Sequence, residues 1–113
     1  MVLQVLHILA AVGTLLTGVF ALVKPAAITG FTGLQPLGGR GLTEIRAIFG
    51  GLFVALGLAP LILNHPTAYL VLGIAYLAIG LARAVSIFID KSAASSNWIS
   101  LAVEIVFGVI LVL

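Results

Sequence analysis

Charged residues are scarce in this sequence. Its 113 residues include five lysines and arginines and three aspartates and glutamates, 7% of the chain, whereas a soluble domain carries about 25%. Hydrophobic residues make up 63%, and a domain of this size has no interior large enough to bury them all. The composition excludes an ordinary soluble domain and predicts a protein embedded in lipid. A net charge of +2 without a basic cluster argues against nucleic acid as a partner.

Cysteine is absent as well, which excludes disulfides, thiolate metal sites and cysteine nucleophiles. The chain also lacks the motifs of serine hydrolases, zinc proteases and phosphate-binding Walker loops. Its glycine-rich stretch, residues 38–41, does not follow a strand of a nucleotide-binding fold, so a flexible loop is the better interpretation. We therefore expect no catalytic residues, no cofactor and no resident metal, and we expect that the protein is not an enzyme.

Long apolar runs dominate what is present. Each run approaches the about 20 residues that a helix needs to cross a bilayer, and lipid offers backbone groups no partner outside a helix. The first run has no lysine or arginine before Lys24, which favours a retained helix over a cleaved signal peptide. The sequence predicts a single all-α domain, 1–113, built as an integral membrane four-helix bundle with antiparallel up-down topology. The predicted spans are residues 2–23, 43–64, 67–89 and 97–113, with a loop at 25–42.

Positive charges collect at one end of this predicted bundle. Lys24, Arg40 and Lys91 lie in the two longer loops, and Arg46 and Arg83 lie in the helix halves nearest those loops. Cytoplasmic loops of membrane proteins carry an excess of lysine and arginine. We therefore expect both loops to face the cytoplasm and both termini to face the non-cytoplasmic side. The predicted location is the cell inner (plasma) membrane, which the chain crosses several times.

Several polar residues fall inside the predicted spans. Arg83 and Glu104 lie at similar depths in the third and fourth spans, which a short hairpin joins as neighbours. A lone charge near the middle of a membrane helix costs roughly 2.5–3.5 kcal/mol, so pairing is favoured. We predict one polar cluster, either a structural clamp or a binding site for a lipid headgroup, ion or small metabolite. Its predicted members are Glu44, Arg46, Arg83 and Glu104, with Tyr76 and Ser100 as hydrogen-bonding partners.

A second polar stripe runs along the first span. Gln4, His7 and Thr14 recur at helical spacing and face one direction. His7 could titrate or bind a ligand, but no second histidine or acid shares its face. An interhelical hydrogen bond is therefore the favoured interpretation. His65 lies in a turn at the same end, and two histidines without a nearby acid make a poor metal site.

The polar residues also form a pattern that resembles a known family. Glu44 and Arg46 are followed by Gly50-Gly51, and Glu104 stands in the fourth span. Further matching residues are Pro25, the segment 80–86 (GLARAVS) and Asp90, whereas Lys91 stands where a glycine is expected. In these residues the chain is similar to a small four-span bacterial membrane family, the domain of unknown function number 4345. A broader resemblance is to the DoxX-like four-helix membrane proteins. The family resemblance implies four spans and no assigned activity.

Two functions fit these observations. The first is a non-catalytic accessory or interaction subunit of a larger membrane assembly, since small residues such as Gly51 and Ala55 recur at the spacing that lets helices approach. The alternative is a small binding or transport protein that uses the intramembrane Glu/Arg cluster for a lipid headgroup or anionic metabolite. A membrane enzyme that moves protons on a lipid ranks third. The expected partners are membrane lipid and a membrane protein or a second copy of the chain, with no nucleic acid.

Overall fold

The computed structural model describes all 113 residues and contains helices and no strand. Four of its five helices are long and apolar enough to cross a membrane. This confirms the prediction of an all-α chain with four helices able to span a bilayer. The helices are α1 (Val2–Val23), α2 (Pro25–Thr32), α3 (Gly38–Leu63), α4 (Pro66–Ile89) and α5 (Ser95–Val112).

The segment between the first two long helices is more helical than expected. The predicted loop 25–42 contains α2, which starts with Pro25 at its first position and ends at Gly33 in the left-handed conformation, φ 78°. α3 then begins at Gly38 instead of residue 43. Thr43 lies inside this helix and donates from its hydroxyl to the carbonyl of Gly39 at 3.0 Å, so it does not cap the helix.

A wide turn interrupts α3. Residues Ile45–Leu52 form a π-helix, in which backbone hydrogen bonds run from i to i+5. Ile45 and Gly50, five residues apart, are the two buried positions of this segment. A Cβ at Gly50 would lie 2.6 Å from Cδ2 of Leu22, so Gly50 packs closely against α1 and a larger residue would have to displace the Leu22 side chain. The wide turn therefore points Gly50 at α1, which a 3.6-residue period does not anticipate.

Backbone contacts between glycines and neighbouring helices hold the long helices in two close pairs. A Cβ at Gly57 of α3 would lie 2.4 Å from the backbone nitrogen of Leu15 in α1. A Cβ at Gly73 of α4 would lie 2.7 Å from Cβ of Leu111 in α5. Without a hydrophobic driving force in lipid, such close backbone packing is a main source of helix association.

The interior is small, and the outer surface is apolar. Only 19 of 113 residues are buried, and a cluster of six buried residues forms the centre: Ala10, Ala11, Tyr69, Leu72, Tyr76 and Leu111. Large apolar side chains such as Ile62, Leu81 and Phe88 are exposed. Exposure of this surface to water is unfavourable, whereas lipid tails can surround it. The fold therefore fits a multi-pass membrane protein.

Candidate functional site

The best-defined polar cluster joins α4 to α5. Arg83 donates from Nε to Oε1 of Glu104 at 2.7 Å and from Nη2 to Oε2 at 2.7 Å, so the ion pair is bidentate. The Glu104 side chain is 10% exposed and the Arg83 side chain 30%. Gly80, one turn before Arg83, lies against Glu104, and a Cβ built there would be 3.6 Å from Glu104 Cβ.

Asn97 connects this ion pair to the loop between α4 and α5. Arg83 Nη1 donates to Oδ1 of Asn97 at 2.9 Å, and Nδ2 of Asn97 donates to the carbonyl of Ser92 at 2.8 Å. We call these four residues, Arg83, Glu104, Asn97 and Ser92, the Arg83 network. All three guanidinium nitrogens and both carboxylate oxygens have partners within it. Removing one partner of a buried ion pair costs about 3–5 kcal/mol in proteins.

Glu44 and Arg46 lie outside this network, contrary to the single cluster expected from the sequence. Glu44 pairs with Arg40, four residues earlier on α3, and their side chains are 54% and 77% exposed. Arg46 is exposed and makes no side-chain hydrogen bond or ion pair. The reason is the early start of α3, which places Arg40 and Glu44 one turn apart on its outer face. A groove of about 530 Å³ lies beside this pair, between residues 34–37 and α3.

Tyr76 and Ser100, the two expected hydrogen-bonding partners, also lie outside the Arg83 network. The Tyr76 hydroxyl is 2.6 Å from Oγ1 of Thr14, which donates in turn to the carbonyl of Ala10 at 2.8 Å. The Tyr76 ring meets Phe107 edge-on at a centroid distance of 5.5 Å. Ser100 is half-buried and makes no side-chain hydrogen bond. Thr14, expected in the second polar stripe, therefore serves as the partner of Tyr76.

The other two members of that stripe lie near the start of α1. Nε2 of His7 lies 2.7 Å from the carbonyl oxygen of Ile110 in α5, an interhelical hydrogen bond. The His7 ring stacks on Tyr69 of α4 with centroids 5.4 Å apart and planes 26° apart. Gln4 is exposed and makes no side-chain hydrogen bond. His7 thus ties three helices together at this end of the bundle.

A cavity of about 510 Å³ opens beside His7. It lies between the first turns of α1 and the turn that joins α3 to α4, and we call it the terminal cavity. Its polar lining residues are Gln4, His7, Asn64, His65 and Tyr69, and its apolar ones are Leu3, Ile8 and Pro66. Its volume lies within the roughly 300–1,000 Å³ of small-molecule sites.

Arg40, Asn97 and Tyr69 are among the residues of these sites that were not assigned from the sequence. Arg40 would have followed from an i,i+4 pairing with Glu44, had the helix start been placed at Gly38. Asn97 lies seven residues before Glu104 and so on the same helix face, which was a usable signal for its contact with Arg83. Tyr69 gave no signal of its own, because its neighbour His7 is 62 positions away in the chain.

Comparison with known proteins gives a family and no activity. The family model described as Domain of unknown function (DUF4345) matches residues 2–113, nearly the whole chain. This match confirms the resemblance seen in the Glu44–Arg46 and Arg83 motifs. No curated protein and no solved structure matches the chain. The resemblance to DoxX-like proteins stays a prediction.

Proposed function

Because this chain belongs to the DUF4345 family, whose description assigns no activity, we propose its role from the geometry: a non-catalytic accessory subunit of a membrane assembly. The observation that carries the proposal is the Arg83 network. Its charges are satisfied by one another and by Asn97, so the cluster works as a structural clamp between α4 and α5. The alternative of an anion site at Arg83 would require a ligand to displace Glu104 from a bidentate contact.

The proposed contact surface is the exposed side of α3. Its small residues recur every fourth position and are all exposed: Ala47, Gly51, Ala55 and Ala59. A Cβ at Gly51 would meet no atom within 4 Å except a carbonyl of its own helix at 3.9 Å, in contrast to the crowded Gly50 and Gly57. A transmembrane helix of a partner protein could approach this surface as closely as α1 approaches the other side of α3.

Native mass spectrometry after extraction in mild detergent tests this role. We expect the wild-type protein to leave the membrane with one protein partner in fixed stoichiometry. Ala55→Leu, which fills the contact surface, should lose that partner, whereas Ala102→Leu on the exposed side of α5 should retain it. A solitary protein in native lipid, or equal retention by both variants, would contradict the accessory role.

We further propose that the four spans run antiparallel with both termini on the non-cytoplasmic side of an inner membrane. The support is the charge distribution. Lys24, Arg40 and Lys91 lie at the edges of spans or just beyond them, at the end of the bundle that carries the two longer loops. Because the chain has no cysteine, single cysteines can report the orientation. In intact spheroplasts, Asn64→Cys should react with an impermeant maleimide, and Ala93→Cys should react only after permeabilisation. The reverse pattern would overturn this orientation.

A further inference from the structure

We propose that the terminal cavity binds a neutral amphipathic molecule with a hydroxyl head and an apolar body. The cavity of about 510 Å³ lies between α1 and the turn from α3 to α4. It shares no residue with the Arg83 network, so this inference stands independently of the accessory role. The hydrogen-bonding groups that the fold leaves free in the cavity wall determine which molecules can bind there.

Tyr69 is the first of these groups. It is 7% exposed and lines the cavity, yet its hydroxyl makes no hydrogen bond within the chain. Buried tyrosine hydroxyls usually have a partner, and Tyr76, equally buried on the same helix, bonds to Thr14. Every fully buried side-chain polar atom of the protein has a hydrogen-bonding partner. Because the Tyr69 hydroxyl has no partner, it is not fully buried and is accessible. Tyr69 lines the terminal cavity.

His7, which lines the same cavity, keeps an acceptor free. Its Nε2 lies 2.7 Å from the carbonyl oxygen of Ile110, and a carbonyl can only accept, so Nε2 carries the proton. The neutral ring then has its lone pair on Nδ1. Nδ1 has no partner in the chain and is not sealed, since His7 is only partly buried and contributes no unsatisfied buried atom. The contact with Ile110 thus selects a tautomer that leaves an acceptor free.

His65 presents the complementary donor. It precedes α4, and its Nδ1 accepts a hydrogen bond from the backbone N–H of Thr67 at 3.2 Å. An accepting Nδ1 is unprotonated, so Nε2 of the neutral ring carries the proton. The same contact makes His65 a poor metal ligand through Nδ1. No group of three or more histidines, cysteines, aspartates or glutamates is clustered in this chain.

The free groups together select the chemistry of the head. The wall offers an acceptor at His7 and a donor at His65. Tyr69, Gln4 and Asn64 add groups that can both donate and accept. A hydroxyl group, as donor and acceptor at once, can bond to any of these groups. No lysine, arginine, aspartate or glutamate lines the cavity, so a charged head would find no permanently charged partner.

The position of the cavity selects the body of the ligand. Leu3, Ile8 and Pro66 supply apolar wall, and the cavity opens where spanning helices end. A molecule dissolved in the bilayer would reach it with its tail in lipid and its head at the polar lining. A long-chain alcohol is the simplest compound with both parts.

Photochemical capture tests the proposal. The full chain is placed in phosphatidylcholine nanodiscs, because this lipid has no hydroxyl to compete. The probe is a dodecanol with a diazirine in its chain, and the matched probe is its methyl ether, which accepts but cannot donate. We expect saturable capture of the alcohol at peptides containing residues 3–8 and 64–69, and roughly threefold to tenfold less capture of the ether, the range for one hydrogen bond.

Two tyrosine variants separate binding from folding. Tyr69→Phe removes a hydroxyl without a protein partner and keeps the ring that stacks on His7, so capture should fall roughly threefold to tenfold while stability stays unchanged. Tyr76→Phe removes the hydroxyl bonded to Thr14 and should leave capture unchanged. Equal capture of alcohol and ether, or wild-type capture by Tyr69→Phe, would show that the cavity holds only a lipid chain.

Discussion

The two ends of the helical bundle differ in whether their polar side chains have hydrogen-bonding partners within the chain. At the end of the bundle that carries the two longer loops, here called the loop end, Arg83 and Glu104 form a bidentate contact and Arg83 also donates to Asn97. Every guanidinium nitrogen therefore has a partner. At the end where α1 begins, Tyr69 and His7 are packed against each other and line a cavity, and each keeps an accessible hydrogen-bonding atom without a partner in the chain. Polar groups that bond to one another, here called closed, stabilise a fold. Accessible polar groups without a partner, here called open, are available to a ligand. Changes at the loop end should therefore alter stability, and changes at the cavity should alter binding.

The largest effect is expected from breaking the ion pair. Glu104→Leu leaves a partly buried guanidinium without its carboxylate, which should lower the free energy of unfolding by about 3–5 kcal/mol. Titration with sodium dodecyl sulfate in mixed micelles measures this loss. The double variant Arg83→Met/Glu104→Leu is the control, because replacing both charges with apolar groups should restore most of it. A single variant as stable as wild type would mean that the Arg83 network does not clamp α4 to α5.

A smaller loss is expected at Asn97. Asn97→Ala removes the acceptor for Arg83 Nη1 and the link to Ser92, and hydrogen bonds to charged groups contribute about 1.5–3 kcal/mol. The same titration measures it. Gln4→Ala at the cavity end is the matched control, since the Gln4 side chain makes no hydrogen bond in the chain. If the two variants lose equal stability, the contrast between closed and open ends is wrong.

The two tyrosines sharpen the contrast within one helix. Tyr76→Phe should lose roughly 0.6–1 kcal/mol of unfolding free energy, the typical value of one hydrogen bond inside a membrane protein. Thr14 keeps its bond to the carbonyl of Ala10, so no buried group is orphaned. Tyr69→Phe should leave stability within about 0.5 kcal/mol of wild type. A larger loss for Tyr69→Phe than for Tyr76→Phe would show that the Tyr69 hydroxyl has an internal partner.

The smallest effect is expected at the exposed pair on α3. Arg40 and Glu44 are mostly exposed, and an i,i+4 pair on a helix surface contributes about 0.3–0.5 kcal/mol. Arg40→Gln should therefore be nearly as stable as wild type and should become less distinguishable from it at high salt. A loss comparable to that of Glu104→Leu would place Glu44 and Arg40 among the groups that hold the bundle.

Local patterns were sufficient for some of these features and insufficient for others. Apolar length alone predicted four helices able to span a membrane, because each helix satisfies its own backbone in lipid. The similar depths of Arg83 and Glu104 in two helices joined by a hairpin were enough to predict that they pair. The role of that cluster stays a prediction. Glu44 was assigned to the wrong neighbours because the start of α3 at Gly38 changes which residue lies one turn away.

The sequence by itself determined the solvent of this protein, since hydropathy is a sum over residues and needs no coordinates. It also determined that a buried arginine would need an acid nearby, because an unpaired charge in lipid is costly. Only the tertiary structure decided which polar groups are closed and which stay open. That choice depends on distances between helices, set by the wide turn at Ile45–Leu52 and by glycines such as Gly57 that let backbones touch. The same packing that seals Tyr76 against Thr14 leaves Tyr69 facing a cavity.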